Sequence, residues 1–149
     1  MKKKVTILVG SLCFILIIFS IYRYFSPPIS NIKKHLGNPD KIINITITNK
    51  DTDTTIILSD PASISLFCNT INELTFNKIE PIKFSSYSNE AKYYIAITTN
   101  TDHFIQTHLP RGRLFRGLKD KGIISPDFEV KDILPFDEWF ENNLVIGDE

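Results

Sequence analysis

Only two cysteines occur in the 149 residues, and they cannot serve one another. Cys13 lies in an apolar run from Val5 to Tyr22, whereas Cys68 falls in a stretch patterned as a folded domain. A domain without a disulfide must be held by its core alone. Cys68 sits on an apolar helical stripe and reads as a buried packing residue, not a reactive thiol.

Other chemistry-bearing groups are sparse or badly spaced. There are three histidines, at 35, 103 and 108. The odd interval between the last two sends them to opposite faces of a strand, and no acid or cysteine stands at metal-ligand spacing beside them. No metal site is expected. The chain lacks a Gly-x-Ser-x-Gly elbow and a phosphate-binding glycine fingerprint followed by Lys-Ser/Thr. Ser59 alone sits on an evident strand-to-helix turn, where it reads more simply as part of the cap. Asp51 and Asp53 occupy a polar loop, and Asp137 and Glu138 the wet face of a helix. No catalytic residue and no cofactor is expected, and the sequence reads as non-enzymatic.

Net charge is zero, yet the charges are segregated. Residues 1–34 carry +6, residues 35–110 carry −3, residues 111–121 carry +4 and residues 122–149 carry −7. Residues 27–149 sum to −4. An acidic domain is a poor match for nucleic acid, which asks for a basic surface.

The strongest positive feature is the start of the chain. Lys2, Lys3 and Lys4 precede the uncharged run Val5–Tyr22, and Arg23, Tyr24, Phe25 and Pro27-Pro28 follow it. A helix over that run covers roughly 27 Å, close to the ~30 Å hydrocarbon core. The basic tip should stay inside, so that residues 27–149 face out. A cleaved signal peptide needs small residues at its cleavage site, and Tyr24 spoils cleavage after Ser26. A lipoprotein reading fails on bulky Leu12 before Cys13, in the middle of the run. The expectation is a cytoplasmic tip at 1–4, a retained transmembrane helix at 5–22, a linker with a short helix at 23–41 and an extracytoplasmic domain at 42–149. The address is the outer face of a bacterial cytoplasmic membrane, in the periplasm or at the cell surface.

The remainder is long enough for one small domain. Ser30 starts a short helix over Asn31–Leu36, with Gly37 and Pro39 as stop signals. Ile43, Ile45 and Ile47 alternate with polar residues in a strand over Ile42–Thr48. Asn49–Asp53 reads as a hairpin loop, and Thr54–Leu58 as the second strand. Asp60 and Pro61 open a helix whose apolar residues Ile64, Phe67, Cys68, Ile71 and Leu74 recur at helical spacing. Strands are expected at Asn77–Ser85, Tyr93–Thr99 and His103–Leu109. A last helix over Phe136–Leu144 aligns Phe136, Trp139, Phe140 and Leu144, a stripe that should dock on the sheet. The fold class is α+β, an antiparallel sheet covered by one or two helices.

One surface feature stands out. Residues 111–125 read RGRLFRGLKDKGIIS, with Gly112, Gly117 and Gly122 each following a basic residue. Glycines at that spacing disfavour a helix and leave backbone N–H groups able to turn toward an anion. Arg111, Arg113, Arg116, Lys119 and Lys121 are therefore the candidate partner- or anion-binding residues. The alternative is a turn-rich connection facing the acidic C-terminal region. Tyr87, Tyr93 and Tyr94 are a secondary candidate contact. The function expected is a membrane-anchored binding protein holding a protein partner, as an immunity protein, an inhibitor or an accessory subunit does. A domain sensing a small anionic molecule comes second, and a hydrolase third.

Overall fold

The computed structural model describes residues 11–21, 28–81, 90–101, 104–117 and 122–144. It is a mixed α+β structure with an antiparallel sheet and helices. Residues 11–21 are helical, and Leu12, Phe14, Ile15, Leu16, Phe19 and Ile21 on that helix are all exposed. Among the described residues no helix is long and apolar enough to cross a membrane. The span expected at 5–22 is described only over 11–21; positions 5–10 and 22 lie outside the described residues.

Helix α1 (Asn31–Leu36) follows Pro28 and ends at Gly37. Its i, i+4 pair Ile32 and Leu36 is fully buried, so this helix, set within the 23–41 segment by sequence, contributes to the core. Asn72 Nδ2 donates to the Gly37 carbonyl at 3.1 Å. A 3-10 turn (Pro39–Lys41) leads into β1 (Ile42–Asn49). The hairpin to β2 (Thr54–Leu58) turns through Asp53 at φ 53°, a left-handed position that Asp tolerates.

Helix α2 (Pro61–Glu73) begins as the sequence dictates. Asp60 is its N-cap, Pro61 occupies the first turn, and the Asp60 carboxylate accepts from the Ser63 N–H at 2.8 Å. Hydrogen bonds from Ser63, its side chain first and then this backbone N–H, hold the Asp60 carboxyl below its usual range. Short β3 (Phe76–Lys78), β4 (Tyr93–Thr99) and β5 (Phe104–Leu109) come next. The long strand expected at Asn77–Ser85 is thus three residues, and positions 82–89 lie outside the described residues. Beyond β5 run β6 (Arg111–Gly112), β7 (Phe115–Gly117), β8 (Gly122–Ile123) and β9 (Phe128–Val130), then α3 (Leu134–Leu144).

The main sheet has six strands in the order β2-β1-β4-β5-β7-β8, every neighbouring pair antiparallel. A second, three-stranded sheet runs β3-β9-β6. Because side chains alternate across a strand, register decides which face each residue joins. One row across the main sheet is Leu58–Ile45–Ile97–Ile105–Arg116–Gly122. Its apolar members are buried, together with Phe67 and Ile71 of α2 and Phe136, Trp139 and Phe140 of α3. The aromatic stripe of α3 docks inward as its spacing requires: Tyr93 meets Phe136 at 4.9 Å and Phe140 at 5.0 Å, and Phe67 meets Trp139 at 5.6 Å. The adjacent row, Ile57–Thr46–Ala96–Gln106–Phe115–Ile123, lies on the opposite face.

Candidate functional site

The 111–125 segment is not a free loop. It supplies three short strands, β6, β7 and β8, and positions 118–121 lie outside the described residues. No glycine among the described residues has a positive φ, so Gly112, Gly117 and Gly122 do not form an anion nest of left-handed turns. Two of them instead permit close strand approach. A Cβ on Gly112 would sit 2.3 Å from the His108 carbonyl oxygen, and one on Gly117 2.9 Å from the Phe104 ring.

Register and ion pairing divide the basic residues. Arg111 Nε donates to Glu129 Oε1 at 2.8 Å, and its Nη1 to Glu90 Oε2 at 2.7 Å. Its strand β6 pairs Arg111 opposite Glu129, so the ladder itself brings the charges together. Arg113 Nε donates to Asp127 Oδ1, with the two side chains 19% and 1% exposed. The contacts with Glu129 and Asp127 face the protein's own acidic C-terminal region, whereas Glu90 precedes β4. Arg113, Asp127, Lys78, Glu80, Ile123 and Ser125 border an open cleft of about 300 Å³ that also includes Ile79, Pro81 and Pro126.

Arg116 differs from both. It pairs opposite Ile105 and so falls in the core-facing row. Its Nε is buried and has no hydrogen-bond partner among the described residues. It borders a smaller cavity of about 130 Å³ with His35, Lys41, Thr99, Thr101 and Ile105. The imidazole of His35 is pushed below its usual pKa, first by burial and then by the positive charges of Arg116, Lys34 and Lys41. Lys119 and Lys121 lie outside the described residues. His35 and Lys41 escaped the sequence reading because they are remote from 111–125 in the chain. No local signal marks Arg116 either: its strand is only three residues long, and pairing with β5 is what turns it inward.

The remaining candidates are distributed elsewhere. Tyr93 is fully buried, which removes it as a surface contact. Tyr94 lies half-buried on the open face of the sheet, where its ring stands 5.3 Å from that of His108; Tyr87 is outside the described residues. Burial, then the charge of Lys50, lowers the His108 pKa. His103 is outside the described residues. Among the described residues no three His, Cys, Asp or Glu side chains converge on a metal-sized site. Cys68 is buried, with its Sγ 3.4 Å from the Leu36 carbonyl oxygen as donor. No protein-family model, no curated protein and no solved structure matches this chain.

Proposed function

We propose that this chain is a membrane-anchored binding protein, its domain on the outer side of a cytoplasmic membrane and holding a protein partner without catalysing a reaction. Immunity, inhibitor and accessory-subunit roles are all of this type. The observation that carries the reading is the row Ile57–Thr46–Ala96–Gln106–Phe115–Ile123, on the sheet face opposite the described helices α2 and α3. It crosses all six strands without a formal charge, and its ends are open: Ile57 is 65% and Ile123 47% exposed. Solvated antiparallel faces usually carry charge, and uncharged faces of this kind suit a protein contact. At one margin, β2 reads Thr-Thr-Ile-Ile-Leu, an edge strand with neither charge nor proline to deter added pairing.

The anchor reading rests on the exposed apolar side chains of helix 11–21 and on the lysines before the run. Lipid is the environment in which such a helix loses no stability by leaving them uncovered. The separate +4 and −7 segments contribute less than their totals suggest, since Arg111 and Arg113 already pair within the chain.

The test is affinity capture of the full chain from crosslinked membranes, beside Ile57→Lys. The wild type should recover one stoichiometric protein partner and the variant should lose it. Recovery of none by the wild type ends the reading. Topology is checked with a reporter fused after residue 149; activity confined to the cytoplasm overturns the outward orientation.

A further inference from the structure

We infer that the cavity beneath α1 is a phosphoryl-binding site, formed by Arg116, His35 and Lys41 with the hydroxyls of Thr99 and Thr101. It lies on the helix-covered side of the sheet and does not rest on the partner-holding reading.

Five polar side chains converge there, brought from α1, the 3-10 turn, the end of β4 and β7. Three of them are basic, and among the described residues no carboxylate borders the cavity. That composition sets it apart from the rest of the basic segment, where each arginine meets an acid. A guanidinium fixed in a core-facing row with its Nε buried and unpartnered among the described residues is an uncompensated arrangement. Burying such a donor costs free energy unless an acceptor reaches it. The neighbouring cations make the cost greater, and they press His35 toward its neutral form. One anion relieves all of these terms together.

The chemistry points to a phosphoryl group. The planar fork of arginine matches two oxygens of a phosphate, lysine adds a point charge, and imidazole and hydroxyls donate singly. A tetrahedral oxyanion offers enough acceptor oxygens for these directions, whereas a halide offers no geometry to a fork. The Thr99 and Thr101 hydroxyls are hydrogen-bonded to each other at 3.1 Å; that bond uses one of their two protons and leaves the other as a donor. The space of about 130 Å³ is well above the ~10–15 Å³ that a single water requires. Two sources share this chemistry: free phosphate, and the phosphomonoester headgroup of a lipid, which α1 would meet if the preceding segment enters a bilayer.

The full chain in nanodiscs distinguishes them, with the His35 imidazole followed by NMR. In phosphatidylcholine discs, inorganic phosphate should raise the His35 pKa and the melting temperature. In discs containing phosphatidic acid and no free phosphate, the same shift assigns the site to the headgroup. Arg116→Gln should weaken the response at least tenfold, or about 1.4 kcal/mol. Lys41→Gln, at an exposed position, should weaken it without disturbing the fold, and Arg116→Lys should restore part of it. A His35 resonance and pKa indifferent to both phosphate and phosphatidic acid overturns the inference. So does an undiminished response in Lys41→Gln and Arg116→Gln.

Discussion

The Tyr93 hydroxyl donates to Asp137 Oδ1 at 2.8 Å, joining the start of β4 to the first turn of α3 across 44 residues of sequence. Lys92 Nζ reaches the other oxygen of the same carboxylate at 2.9 Å. One acid on the helix is therefore gripped by two successive residues, Lys92 just before the strand and the buried Tyr93 at its start. Burial, and then the hydrogen bond to Asp137, hold the Tyr93 phenol well above its usual pKa.

Tyr93→Phe keeps the ring contacts with Phe136 and Phe140 and removes only the donor. A hydrogen bond to a charged acceptor is worth about 1.5–3 kcal/mol. Asp137 retains Lys92 and some access to water, so the loss should fall near the lower end of that range. Urea unfolding of the two proteins measures it, and an unchanged midpoint would contradict the bond.

Arg113 and Arg111 should behave oppositely although they are two residues apart. Asp127 is 1% exposed, so removing Arg113 takes an ion-pair partner from a carboxylate in the interior. Arg113→Met should lose about 3–5 kcal/mol, and adding Asp127→Leu should return part of it. Arg111 forms its pairs in the open, with both acids substantially exposed, and Arg111→Ala should barely move the melting temperature. If both variants melted like the wild type, the assignment of Arg113 to the interior would be wrong.

This contrast shows where sequence reasoning reached and where it stopped. Asp60, Pro61 and the Ile64–Leu74 stripe specify α2 through local rules of capping and spacing, and the helix appears where they put it. Tyr93–Thr99 has the length and β-branched content of a central strand and is one. The 111–125 segment has neither. Its strands are two or three residues long, too short to display a period, and its glycines resemble turn signals. What places them is pairing with β5 and β9, a long-range relation. The same relation decides that Arg113 meets Asp127 and that Arg116 faces inward, so those roles could not be read from local pattern.

Cys68 should be inert while the domain is folded. Burial pushes its thiol up to about 11, so at pH 8 only about one molecule in a thousand carries the thiolate that reacts. In a Cys13→Ser background, alkylation should proceed no faster than opening of the domain, and urea should accelerate it. Rapid labelling under native conditions would show that the helix stripe is not closed around it.

His35 should make the fold sensitive to mild acid. Its folded pKa lies below the ordinary imidazole value of 6.5, first through burial and then through Arg116, Lys34 and Lys41. Above that value the imidazole is neutral in both states, and its contribution to stability is complete. As pH falls through it, the unfolded chain takes up the proton first, so stability is lost until the folded form also titrates. His108 is shifted in the same direction and adds to the slope. Unfolding midpoints between about pH 7.5 and pH 5.5 should therefore decline, and His35→Gln should flatten part of that decline. A slope identical to the wild type would remove His35 as its source.

Helix α1 has a mechanical consequence. Ile32 and Leu36 are fully buried, the Asn31 amide donates to the Ile124 carbonyl at 2.8 Å, and Cys68 and Asn72 hold its far end. The chain leaving the apolar run is thus stitched into the interior almost as soon as it passes Pro28. A pull transmitted through Pro28 is borne by α1 and the side chains beneath it. Any force applied to the chain at Pro28 therefore enters the core through α1, and the first part of the fold to feel it is the Ile32–Leu36 contact with the interior.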